Sequence, residues 1–298
     1  FGSLLVLLFS LNVFADVTVQ DIHKTCESSY EQCLAQLPLE VEAANGNKLL
    51  LANLKMYELD SYFYLALFKE LMAETTILLA QSNLPPTLEL KTLIYHAKML
   101  SYDAKSDELP KILTRASQLF DQFLESGQNP SLLIQYGNFH LYTNEYDKGF
   151  SVFKALENRF SGHNNPAYSA RIYVNLGNLN MRTKQYEEAL GYYKKAQISA
   201  TRANLSDLSL VSGFNVGRVY QEWGNKDLAI AQFKGVLQEA TKKRNRKIIS
   251  FTHFRLGEVY FSKSLWAEVL FHFDKIVPQK FNDRFRETRE RLYKIAKK

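Results

Sequence analysis

Two cysteines, Cys26 and Cys33, and six histidines, His23, His96, His140, His163, His253 and His272, are the side chains best suited to redox or metal chemistry. Their spacing argues against both. No H-E-x-x-H occurs and no Cys/His cluster has zinc spacing. C-x-x-C spacing is missing as well, so a redox catalyst is not expected. Nor is there a G-x-S-x-G, a phosphate-binding loop or a G-x-G-x-x-G. The carboxylate pair Glu187-Glu188 falls at a helix start, where the macrodipole accounts for it. The chain is therefore expected to be no enzyme and to hold no metal and no cofactor. His253 and His272 fall in one helical hairpin and can approach each other; packed or surface side chains, not ligands, are the expected reading. An even cysteine count favours a bridge in an oxidising compartment. On one continuous helix, however, a separation of seven residues places the Cα atoms about 10 Å apart, beyond disulfide reach. Either the helix breaks near Ser28-Ser29 and the two pair, or the thiols stay free or bridge between chains.

What remains is recognition chemistry, and the elements that would position it have a clear period. Asn165-Pro166 reads as an N-cap followed by proline in a first helical turn. Tyr173, Leu176, Gly177 and Asn180 then share one helix face. After the polar turn Thr183-Lys184-Gln185, Tyr186, Ala189, Tyr193 and Ala196 mark a face of a second helix. A glycine inside a helix costs about 1 kcal/mol against alanine, so Gly177 needs a steric reason. Close helix–helix approach supplies one, with Gly177 expected to face Ala189. The glycine recurs: Gly137, Gly177, Gly217 and Gly257 are 40 residues apart, and Phe153, Tyr193, Phe233 and Phe273 follow in the same phase. That period predicts stacked helical hairpins at about 130–160, 166–204, 206–243 and 247–278. Ala97 stands one period before Gly137. With Leu113 and Ala116, it marks a degenerate repeat restarting at Pro85-Pro86.

The Leu-Gly pair, the aromatic after the turn, the two alanines and the aromatic between them resemble the tetratricopeptide repeat in a long, 40-residue form. The resemblance implies an all-α, right-handed superhelical solenoid that binds a protein or peptide along its concave face, lined by the first helix of each hairpin. Carried over residue by residue, that face holds Asn138, Tyr142, Asn175, Asn178, Arg182, Phe214, Asn215, Arg218, Phe254, Arg255 and Glu258. Asparagine offers donor and acceptor to a peptide backbone, and arginine a forked donor to carboxylate. Asn138, Asn178 and Arg218 resemble three polar positions of the two-carboxylate clamp of chaperone-binding members. Ile134 and Phe214 stand in place of its lysines. The long repeats also resemble periplasmic scaffolds and the sensory domains of bacterial membrane signalling proteins, of diguanylate cyclase or histidine kinase type.

The remaining segments are read in domain terms. Residues 1–15 form an apolar run ending Val13-Phe14-Ala15, read as part of a signal peptide cleaved before Asp16. The expectation is an exported, periplasmic protein. Residues 16–84 are an irregular N-terminal helical region and 85–278 the solenoid. Residues 279–298, with Phe281, Phe285, Leu292 and Ile295 on one side, form a capping helix. Val19–Leu37 reads as one helix or two short ones, ending before Pro38. Lys48–Leu79 reads as one helix or as a hairpin bent near Asp60-Ser61. Charge is uneven: residues 16–110 hold 14 acids against 7 lysines, although the whole chain carries a net +6. The basic run Lys242, Lys243, Arg244, Arg246 and Lys247 is expected to be a solvated loop, not a nucleic-acid site. The expected partner is a protein or peptide. Membrane contact is not predicted, and oligomeric state is not legible.

Overall fold

The structure is a computed structural model that describes residues 22–26, 28–101, 107–160, 165–276 and 283–297. The leader through Ala15, its cleavage point before Asp16, and His163 and Phe281 lie outside these residues. The described residues contain helices and no strand. They divide into two compact units, 1–143 and 144–298, so the boundary falls inside the repeat expected at 130–160.

In the first unit, α1 (Tyr30–Ala43) follows a helical turn at 22–26. The chain breaks at Ser29, whose extended backbone and side chain cap α1. That break brings Cys26 and Cys33 to a Cα separation of 4.6 Å, and the two form a disulfide. α1 runs through Pro38 instead of ending before it. Asn45-Gly46, both with positive φ, turn the chain, and Asn47 caps α2 (Lys48–Tyr64). α3 (Phe68–Leu79) follows a break at Ala66, φ 59°. The bend lies beyond Asp60-Ser61, which stay within the helix. Ser61 Oγ donates to the Tyr57 carbonyl, and Asp60 accepts from Lys91 and Tyr95. α4 (Pro86–Leu100), α5 (Leu109–Ser126) and α6 (Pro130–Tyr142) complete the unit.

The second unit comprises α7 (Tyr146–Phe160), α8 (Pro166–Arg182), α9 (Tyr186–Arg202), α10 (Ser206–Glu222), α11 (Lys226–Lys242), α12 (Arg246–Phe261), α13 (Trp266–Asp274) and α14 (Asp283–Ala296). The pairs α8–α9, α10–α11 and α12–α13 are the hairpins the period predicts. Their turns share a left-handed residue at Lys184, Gly224 and Ser264, and the links between hairpins use Asn204 and Arg244. α10 packs on both α8 and α12, so the first helices stand side by side, while no second helix packs comparably on the next.

The recurrent glycine meets an aromatic ring, not an alanine. A Cβ on Gly177 would lie 2.7–2.9 Å from three atoms of the Tyr193 ring, and Gly217 faces Phe233 as Gly257 faces Phe273. The expected partner, Ala189, is fully buried but one turn away, and Tyr193, Phe233 and Phe273 are likewise fully buried. In these three hairpins each ring fills the notch its glycine opens, so from Gly177 on the two series are one lock repeated. At the C-terminal end, α14 lies against α12 and α13. Phe285 meets Phe251 and Phe254 edge-on, and Arg289 donates twice to the Phe273 carbonyl.

Candidate partner-binding face

The first helices carry their polar side chains in register, because a 40-residue step returns each to the same phase. Asn178 is half-buried, and its Oδ1 accepts from the Tyr193 hydroxyl at 2.7 Å. Burial pushes that phenol upward, so it stays a neutral donor holding the amide in place. One repeat on, Arg218 Nη1 donates to Asn215 Oδ1 at 3.2 Å. Its Nε is buried with no hydrogen-bond partner. Burial lowers the Arg218 pKa, and the Arg255 charge adds to this. A guanidinium remains protonated at neutral pH, so the site holds a charge that neither solvent nor its own chain fully satisfies. In the next repeat Arg255 pairs with Glu258 at 2.8 Å, and Gln221 Nε2 reaches the same carboxylate at 3.3 Å. The Gln221 Oε1 atom is buried without a partner. Arg182 is exposed beside this row. Arg182, Arg218 and Arg255 thus follow one another along α8, α10 and α12; Glu258 pairs with Arg255, and the charge of Glu222 acts on Arg218 from within α10.

Several residues expected on this face serve elsewhere. Asn175 is buried and its Nδ2 donates to the carbonyl of Arg171 in its own helix. Asn215 is buried and serves Arg218. Phe254 is a core residue, 2% exposed, and Phe214 packs on Phe233 at a ring separation of 5.6 Å. Apolar rings and short amides at these phases point between layers, which the helix spacing alone could not separate from the face beside them. Gln221 was missed; it lies three residues beyond Arg218, on the same face. In the first unit, Asn138 is half-buried with its Oδ1 unpartnered, and Tyr142 is exposed at the end of α6.

The first unit also holds a charge cluster that no sequence period announces. Lys91 donates to Asp60 at 2.5 Å, and the Tyr95 hydroxyl donates to the other oxygen of the same carboxylate. Lys98 lies over the Phe63 and Tyr95 rings at 4.4 and 4.7 Å, and burial lowers its pKa to about 8. These contacts tie α2 to α4. In the second unit His253 and His272 are buried with their Nδ1 atoms 2.8 Å apart, and Tyr260 stacks on His272. Among the described residues no group of three or more metal-capable side chains gathers, and no helix is long and apolar enough to cross a membrane.

Paired helices with an in-register first-helix face define a helical-hairpin repeat protein of the kind that presents side chains along successive helices. Residues 168–242 match the tetratricopeptide repeat family, and the helical repeats of the chain have the fold of that kind. Solved structures share the fold. The apo form of RapI is 16% identical, with a TM-score of 0.65 over 95% of this chain and 85% of that one. Aspartyl phosphate phosphatase F from Bacillus subtilis is 12% identical, with a TM-score of 0.64 over 99% of this chain and 81% of that one. A signal-transduction ATPase with a tetratricopeptide repeat sensor from Pyrococcus horikoshii is 16% identical, with a TM-score of 0.59 over 95% of this chain and 43% of that one. At these identities the likeness is one of fold alone. No curated protein matches the chain in sequence.

Proposed function

We propose that this protein is an exported interaction scaffold that binds a peptide or protein segment along the first-helix face of its second unit, and that the segment carries an acidic side chain or terminus. The observation that carries the reading is Arg218. Its side chain is half-buried and feels the charges of Arg182 and Arg255, its Nε lacks a partner, Glu222 acts on it only through its charge, and Glu258 already serves Arg255 and Gln221. An incoming carboxylate would satisfy that donor and relieve the repulsion among the arginines. Export is supported by the Cys26–Cys33 disulfide, since such bonds persist in oxidising compartments.

A peptide array probed with the purified chain tests the reading. Wild-type protein is expected to select peptides bearing Asp, Glu or a free C-terminus, and Arg218→Gln is expected to lose that selection. Selection indifferent to acidic residues, or unchanged in the variant, would reject it.

A further inference from the structure

The second unit contains a cavity of about 740 Å³ on the side away from the first-helix face, between α9 and α11 with α10 as its floor. Sequence phase explains why it is there. In the repeat before it, the first-helix position holds Tyr173 and the second-helix position Tyr192, with ring centroids 6.2 Å apart. In the repeat after it, the same two positions hold His253 and His272, with centroids 5.1 Å apart. Forty residues from each, the middle repeat has Gly213 and Gln232. The internal ring pair is missing from this repeat alone among the three hairpins α8–α9, α10–α11 and α12–α13.

Two carboxamides have moved into part of that space. Gln232 Nε2 donates to the Gly213 carbonyl at 3.0 Å, and Gln197 Nε2 lies 3.1 Å from where a Gly213 Cβ would stand. They are the polar lining beside Gly213. Above it the α11 wall is bare: Ala231 and Gly235 are exposed, and a Cβ on Gly235 would meet nothing within 4 Å. Val236 and Leu210 supply apolar contact, while Thr201 and Ser209 hydroxyls, 3.1 Å apart, supply donors and acceptors. The volume falls within the range of small-ligand sites. Glu239, already paired with Lys242, and the exposed Lys243 line one end, so the charged groups stand at the rim.

We propose that the cavity beside Gly213 binds a planar aromatic ring bearing a hydrogen-bonding group, which takes the place of the ring pair the flanking repeats supply themselves. The ring lies against the Gln197 and Gln232 carboxamides with Val236 at its edge, and its polar substituent reaches the Thr201–Ser209 hydroxyls. This site is separate from the first-helix face and does not depend on the acidic-segment reading.

Amide and glutamine side-chain resonances of the full chain, titrated with phenol, N-acetyl-tyrosinamide, cyclohexanol and N-acetyl-alaninamide, test the proposal. The two aromatic probes are expected to shift Gly213, Gly235 and the Gln197 and Gln232 side chains with a saturating response, and the two saturated probes are not. Tighter binding of N-acetyl-tyrosinamide than of phenol assigns the ring to a partner chain; the reverse order assigns it to a free small molecule. Both orders support a ring site. The double substitution Gly213→Tyr, Gln232→Tyr copies the preceding repeat and should weaken the aromatic probes by about tenfold or more. Gly235→Leu, whose Cβ would meet no neighbouring atom, narrows the open wall and guards against a folding defect in the double variant; it should weaken them as well. Equal response to cyclohexanol, unchanged affinity in folded variants, or no saturable shift within probe solubility would overturn the proposal.

Discussion

Gly177 and Gly191 are both helical glycines, and they should respond to alanine with opposite signs. A Cβ at Gly177 collides with the fully buried Tyr193 ring, whereas one at Gly191 meets nothing within 4 Å. Gly177→Ala is expected to destabilise by about 1–3 kcal/mol through overpacking, less the helix-propensity gain. Gly191→Ala is expected to stabilise by about 0.5–1 kcal/mol. Urea unfolding of the two variants reads both; equal shifts would remove the glycine–ring lock. The His253–His272 pair gives a pH test. Burial depresses both pKa values, and the His253 charge and Lys234 help bring His272 to about 4, while Lys275 acts on His253. The unfolded chain therefore takes up protons first, near the ordinary histidine value of about 6.5, and stability falls as pH drops below it toward 4. Denaturation midpoints at pH 7 and pH 5 should differ for the wild type, and His272→Phe should shrink the difference. A midpoint independent of pH over that interval would contradict the buried pair.

At the scale of elements, the 40-residue period made the hairpins from α8 to α13 legible, including their turns. What it could not give was reach. Tyr193 stands 16 residues after Gly177, and its ring is long enough to fill a notch that the shorter Ala189 was expected to face. The same limit misplaced Asn175, Asn215 and Phe254, whose phases border the polar face but whose side chains turn between layers. The first unit was less legible because its helices are fixed by particular pairs, such as Asp60 with Lys91 and Tyr95, that leave no periodic trace. The disulfide was legible only as an alternative, since it depends on the chain breaking at Ser29. Alkylation of protein trapped in intact cells should find neither Cys26 nor Cys33 reactive before reduction. Replacing both with serine should cost about 2 kcal/mol, in keeping with the short loop they close. Two reactive thiols without reductant would instead favour a reducing compartment.

At the scale of the molecule, the sequence places its negative charge early and its positive charge late, and two surfaces of the second unit bear on recognition. One is the row Asn178, Arg218 and Arg255 on the first helices. The other is the link between α11 and α12, where Lys242, Lys243, Arg244, Arg246 and Lys247 are all exposed. Exposed loop charges mainly steer association and are screened by salt, while a half-buried guanidinium contributes to the bound state itself. The most direct measurement is calorimetric titration of an array-selected acidic peptide against two variants, Asn178→Ala/Arg218→Gln and Lys242→Gln/Lys243→Gln/Arg244→Gln, at low and physiological salt. The face variant should lose about one to two decades of affinity, the worth of a charge-assisted hydrogen bond of about 1.5–3 kcal/mol, at both salt concentrations. The loop variant should lose less, and chiefly at low salt. If the loop variant abolishes binding while the face variant keeps it, the partner docks on the basic edge and the assignment of the first-helix face is wrong.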